Sequence, residues 1–276
     1  MPVNRERALS VMREYRLDAI VTMTPENMTY LIDFPMLHGC LAETKVYVVF
    51  PAAADQKPSI VIPRNSVDML TSSSSTVDDI WLHGNFFLFE SEGMDPKTLT
   101  REERRLHAAL RSPHTPSDLD ALQACVKARG LDAGRLGFDE KSLASPDVFD
   151  QIQDLVPKGQ VVPAYKILRK IRMVKTPEEL RRMRVAAAAN QAGAAAVFAA
   201  AKVGVRELDM AGAYYEAIHR ADAMRHHLCI NCGRRAGLPN GEPSEYRLQA
   251  GDVIRFDADC VHQNYFNDIA RNAVVG

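Results

Sequence analysis

The sequence has no prevailing sign of charge. Lysine and arginine number 34 against 35 aspartates and glutamates in 276 residues, so no global field draws the chain to nucleic acid or to an anionic membrane surface. It has no run of eighteen apolar residues, and Met1 to Arg7 turns at once into a charged helical pattern. Neither a membrane span nor a signal peptide is therefore expected, and the expected location is the cytoplasm. No motif recurs at a fixed period. Cys40, Cys125, Cys229, Cys232 and Cys260 form an odd, scattered set, which suits a reducing compartment and a chain large enough to fold without disulfides. Cys229 and Cys232 make a CxxC, but no second pair completes a zinc site and Gly233-Arg234-Arg235 follows where a redox motif wants a helix. They read as buried thiols near a strand end.

What is present is an ordinary globular composition, 46% hydrophobic and 25% charged, in a length that suits two domains, each able to bury a core. The fold class expected is α/β (α+β), divided as residues 1–165 and 166–276. In the first part, helical patterns over Arg5 to Arg16, Glu102 to Leu110, Pro116 to Arg129 and Pro146 to Leu155 alternate with strand-like runs at Leu17 to Met23, Arg135 to Asp139 and near Val161. Thr24-Pro25 starts a turn or helix. Val46 to Phe50 and Ser59 to Pro63 are β-branched runs that predict a strand pair. Ser72 to Ser75 reads as an exposed loop. In the second part, Thr176, Pro177 and Glu179 spell a helix start with a capping box. Alanine-rich helix follows to about Gly204, then a helix from Arg206 to Ala223 and an extended segment from Leu228.

The last fifty residues carry the chemistry. Val253 to Asp257 predicts a strand ending on a carboxylate, and Asp268 stands eleven residues on, beyond a turn into a second strand. A hairpin there places Asp257 and Asp268 together. Two carboxylates ~4 Å apart at an effective dielectric near 20 repel by roughly 4 kcal/mol, so such a pair needs a shared proton or a cation; manganese, cobalt and zinc accept carboxylate oxygens. Alternation puts Asp259 on the face of Asp257, as an alternative partner. His226, His227 and His262 are weaker candidates, and Arg234-Arg235 reads as a solvated turn.

At these residues a resemblance becomes specific. Ile167 to Leu180, Gly251 to Asp257 and Tyr265 to Arg271 resemble the pita-bread catalytic domain of the creatinase/prolidase family, which includes Xaa-Pro dipeptidases, aminopeptidase P, methionine aminopeptidases and creatinase. Arg7-Ala8, Leu17 to Val21 and Asn27 to Leu31 resemble the family's N-terminal domain. The resemblance implies that Asp257 and Asp268 are two of five protein ligands to a dinuclear manganese, cobalt or zinc centre. The other three, a histidine and two glutamates, belong to a second pseudo-symmetric half that the sequence to Gly276 does not contain. The expectation is a C-terminally incomplete domain with weak metal binding, little turnover and uncovered strand edges. Asn240 stands in a Pro-x-Gly context where the family usually has histidine; asparagine donates a hydrogen bond but carries no proton at neutral pH. Asp259 replaces a usual glycine, and Ala270 a bracing threonine.

Three readings follow. The first is a metal-dependent amide hydrolase like the Xaa-Pro dipeptidases, acting on a small peptide or amide, homodimeric, without nucleic-acid or membrane partners. The second is a creatinase-like, metal-free hydrolase of a small C–N compound. The third is a non-catalytic dimerisation or binding module.

Overall fold

The computed structural model describes residues 2–34, 45–86, 96–139 and 146–276, and these form two compact units, Met1–Thr176 and Pro177–Gly276. Cys40 lies outside the described residues.

The first unit runs α1 (Arg5–Glu14), β1 (Ala19–Thr22), α2 (Pro25–Ile32), β2 (Tyr47–Pro51), β3 (Ser59–Pro63), α3 (Val67–Ser72), β4 (Asp79–His83), α4 (Arg101–Ala109), β5 (His114–Thr115), α5 (Asp118–Ala128), β6 (Arg135–Phe138), α6 (Pro146–Asp154), β7 (Gln160–Pro163) and α7 (Tyr165–Arg172). Its seven-stranded sheet has the order β5-β4-β3-β2-β1-β6-β7. Among the described residues only β2 is antiparallel to its neighbours, so the expected pairing of β2 with β3 is found, inside an otherwise parallel sheet. Strands covered on both faces read as continuous apolar runs. Accordingly Ile20, Val48, Phe50, Ile60 and Ile62 pack with α1, α2, α3 and α7, whereas Val21, Tyr47, Val49 and Val61 pack with α5 and α6.

α7 falls in the stretch that the sequence reads as a domain boundary. It belongs to the first unit: Ile167, Leu168 and Ile171 are buried in that core, and Arg172 Nη1 donates to Asn27 Oδ1 at 2.7 Å. The serine run is not uniformly an exposed loop. Ser72 ends α3 and Ser75 is buried, because Arg105 donates to the carbonyls of Thr71 (2.8 Å) and Ser75 (2.8 Å) and draws the run inward.

The second unit runs α8 (Pro177–Ala200), α9 (Glu207–Arg220), β8 (Met224–Cys232), β9 (Val253–His262) and β10 (Tyr265–Val274). Its antiparallel sheet has the order β10-β9-β8. One face is apolar: Leu228, Ile230, Ile254, Phe256, Ala258 and Cys260 meet Ala189, Val197, Met210 and Tyr214 of the two helices. Small residues let the helices approach closely; a Cβ at Gly193 would lie 2.5 Å from the Tyr214 ring. Asn190, fully buried on α8, donates to Ala258 O (2.7 Å) and Asn267 O (3.1 Å) and accepts from the Tyr214 hydroxyl (3.0 Å), tying both helices to β9 and β10.

Asp139, fully buried just after β6, organises the end of β1. Its carboxylate accepts from the Thr22 hydroxyl, Met23 N (3.0 Å), Thr24 N (3.1 Å), Thr24 Oγ1 (2.7 Å) and Asn27 Nδ2 (3.1 Å). Removing the acceptor strands several buried donors, each costing about 1–3 kcal/mol. Asp139→Ala is expected to destabilise the first unit by at least about 3 kcal/mol. Trp81, the single tryptophan and a β4 residue, reports that transition by fluorescence in a urea titration; an unchanged midpoint refutes the expectation.

Candidate functional site

The site is built on the sheet face turned away from the helices. Alternation sends Arg255, Asp257 and Asp259 to that face, because Phe256 and Ala258 point into the core. β9 and β10 are joined by two residues, Gln263 (φ 45°) and Asn264 (φ 66°), both left-handed. This is the backbone of a tight primed hairpin turn, and asparagine tolerates it best after glycine. The turn sets the register: Asp268 lies directly opposite Asp259, and Asp257 opposite Ala270. Asp257 and Asp268 therefore share one face as diagonal neighbours, while the direct partner of Asp268 is Asp259.

Charge is crowded there. The Asp268 carboxyl is raised above the usual carboxylate range by burial, by the charge of Asp259, by a hydrogen bond with Asp259 and by the charge of Asp257, with His227 acting in the opposite direction. β8 completes the face. Cys229 pairs with Asp257 and His227 with Asp259, and a register shift between Arg225 and His227 lets His226 Nδ1 also approach Asp259 Oδ2, at 3.3 Å. His226 stacks edge-on against Phe266, centroids 4.9 Å apart. His262 does not join this group: its Nδ1 contacts the Asp222 carbonyl at 2.8 Å.

Asn240 is exposed in a turn between β8 and β9. Its neighbours lie against the same face: a Cβ on Gly241 would sit 2.8 Å from Asn231 Nδ2, and Arg255 Nη1 reaches Leu238 O (2.7 Å) and Pro239 O (2.8 Å). Arg255 Nη2 also donates to Asp257 Oδ2 at 2.7 Å.

The segment bearing Asn240 is anchored at both ends by Glu207, fully buried at the start of α9. Glu207 accepts from Cys232 N (2.7 Å), Ser244 N (2.9 Å), Ser244 Oγ (2.6 Å) and Arg235 Nε (3.1 Å to Oε2). Arg235 is thus the counter-ion of a buried carboxylate, which corrects its reading as part of a solvated turn. Cys229 and Cys232, three apart on a strand, point to opposite faces, and both are buried. Burial raises the Cys229 thiol, and burial with the charges of Glu207 and Asp252 pushes Cys232 up to about 12, so both are the buried thiols near a strand end that the sequence leads one to expect.

Sequence reasoning missed Arg255, Glu207 and Asn190. The alternation that flagged Asp259 also places Arg255 beside Asp257. Nothing local marks Glu207 or Asn190, whose partners lie 24 or more residues away.

The donor chemistry fits a divalent cation in part. The oxygens are carboxylates, and the raised Asp268 carboxyl marks an excess of negative charge that a cation relieves. Among the described residues, no group of three or more His, Cys, Asp and Glu side chains is disposed to hold a metal ion.

Glu207→Ala is expected to speed amide exchange of Cys232 and Ser244 at least tenfold, as one buried and one half-buried N–H group lose their acceptor at about 1–3 kcal/mol each. Hydrogen-exchange mass spectrometry across 230–246 checks this; unchanged exchange shows that Glu207 does not hold the segment.

Comparison with known proteins places these features. Residues 5–174 match the Creatinase/Prolidase N-terminal domain, and residues 181–276 match Metallopeptidase family M24. The uncharacterized peptidase YqhT of Bacillus subtilis is 25% identical over 144 residues, 51% of this chain and 40% of that protein. The Xaa-Pro dipeptidase of Pyrococcus furiosus is 26% identical over 133 residues, 46% of this chain and 38% of that protein. Among solved structures, the Xaa-Pro dipeptidase from Bacillus anthracis superposes with TM-score 0.70 at 18% identity, over 99% of this chain and 64% of that one. The prolidase from Pyrococcus horikoshii gives 0.67 at 17%, over 99% and 65%. The matches thus span about two fifths of these curated relatives and just under two thirds of these solved chains.

Proposed function

This chain belongs to the creatinase/prolidase family, and from that premise we propose that it is the substrate-side and half-cradle portion of a metal-dependent amide hydrolase acting on small peptides of the Xaa-Pro type. The observation that supports this reading is the convergence of Asp257 and Asp268 on one face of the β9–β10 hairpin, with the Asp268 carboxyl raised by its acidic neighbours. Asp257 and Asp268 would hold a divalent manganese, cobalt or zinc ion together with a histidine and two glutamates from polypeptide outside residues 1–276. When bound, such an ion polarises a scissile carbonyl as a Lewis acid. Asn240, exposed in the turn between β8 and β9, would donate an amide N–H to the substrate carbonyl oxygen. It cannot pass a proton, so the step that a histidine would catalyse there is slowed. Glu207 and Arg255 keep the Asn240 segment against the sheet. With two carboxylates alone, metal is held loosely and turnover by residues 1–276 is negligible. The setting proposed is a cytoplasmic homodimer; among the described residues, no helix is long and apolar enough to cross a membrane.

One observation favours the metal-free alternative: Arg255 already supplies a cation to Asp257. Hydrolysis of creatine that survives a chelator would establish that alternative; none is expected.

Manganese(II) titrated into the 276-residue chain is expected to bind weakly, and Asp257→Asn or Asp268→Asn is expected to weaken it about tenfold further, since each removes one of two anionic ligands. Calorimetry with parallel assay of an Xaa-Pro dipeptide reads both quantities. Equal affinity in parent and variants refutes the ligand assignment.

A further inference from the structure

Arg255 precedes Asp257 by two residues on β9, so both side chains emerge on one face. Its guanidinium is divided between two tasks. Nη1 donates to the carbonyls of Leu238 (2.7 Å) and Pro239 (2.8 Å), the residues immediately before Asn240. Nη2 donates to Asp257 Oδ2 at 2.7 Å. The two side chains of this pair are only 26% and 28% exposed, so solvent screens it less than a surface ion pair. A guanidinium stays charged throughout the working pH range, and its planar fork holds two partners at once, as the single ammonium of a lysine does not.

We propose that Arg255 is a positioning residue that couples the cation cradle to the Asn240 turn: it is the resident counter-ion of Asp257, competing with a divalent metal for Oδ2, and the clamp on the backbone before Asn240. This rests on the reading of Asp257 as a metal ligand. A cation entering at Oδ2 meets the fixed charge of Arg255 and must displace Nη2. The freed Nη2 then lacks an acceptor, which a partly buried donor tolerates poorly, so the guanidinium turns to a new partner. Nη1 on the same rigid plane carries the Leu238 and Pro239 carbonyls with it. Metal occupancy therefore moves the turn that presents Asn240, and the loop's position in turn modulates metal affinity, since such coupling is reciprocal.

The test uses the 276-residue chain, its Arg255→Met and Arg255→Lys variants, and Asp257→Asn as reference, with manganese(II) alone as the probe. Calorimetry reads affinity and hydrogen exchange reads residues 236–242. Arg255→Met is expected to bind manganese about three- to tenfold tighter, because a competing ion pair is gone, and to exchange faster over 236–242. Arg255→Lys retains the charge but not the fork, so it is expected to bind manganese close to the parent's affinity while the turn exchanges as fast as in the methionine variant. In the parent, manganese is expected to change exchange over the same residues. A loss of packing alone would not tighten metal binding. If Arg255→Met binds no tighter while Asp257→Asn loses binding, the competition is refuted and the ligand reading stands. If Asp257→Asn binds as the parent does, the ligand reading fails and takes the coupling with it. Should circular dichroism show Arg255→Met unfolded, parent-like exchange over 236–242 in Arg255→Lys overturns the clamp.

Discussion

Side chains alternate along a strand, so sliding β10 by one residue against β9 would carry Asp268 to the helix-covered side and bring Ile269 out beside Asp257 and Asp259. The chemistry of the second unit depends on that register. Two constraints hold it. The Gln263-Asn264 turn closes the hairpin with the minimum number of residues, both in the left-handed region that matches strand twist. Asn190 grips the carbonyls of Ala258 and Asn267 from beneath, at positions next to the aspartates. A buried asparagine holding two strands is a strict arbiter of register, because a slip leaves its amide unpaired in an apolar core.

The register in turn decides the electrostatics. Asp257 and Asp259 share a small patch of sheet with Asp268 and raise its carboxyl, and the structure answers in two ways: Asp259 and Asp268 hydrogen-bond, and Arg255 neutralises Asp257. The same logic recurs behind the Asn240 segment, where the buried Glu207 is satisfied by backbone N–H groups, a serine hydroxyl and Arg235. Polar groups here are paired with partners that also define geometry, so neutralising charge and positioning the chain are one act.

The first unit uses a buried carboxylate in a related way. Asp139 gathers the end of β1 and the start of α2 at one point, and Asn27 passes the connection on to Arg172 of α7. That chain of contacts explains why α7, with three basic residues in its last turn, belongs with the parallel sheet although its sequence looks like a connector. Its buried stripe is short, three residues in two turns, and gains its partners only from helices and strands distant in sequence.

Much of the architecture was legible in residue order. The β-branched runs of β2 and β3, the proline-led start of α8 and the carboxylate-tipped strand before Asp268 are local patterns, set by backbone preference and by burial on one or both sides. β4, β5 and α3 were missed: β4 begins and ends on polar residues and pairs in parallel with β3 through a crossover, so its assignment depends on neighbours rather than on its own pattern. At the site, the sequence by itself determined that Asp257 and Asp268 stand eleven residues apart across a turn, and that alternation puts Asp259 with Asp257. Only the tertiary structure decided that Asp259 is the direct partner of Asp268, that Arg255 spans Asp257 and the backbone before Asn240, and that Glu207 anchors that segment at both ends. Pattern and propensity are properties of a few neighbouring residues, whereas a hydrogen bond to one particular carbonyl requires the whole chain to have closed around it.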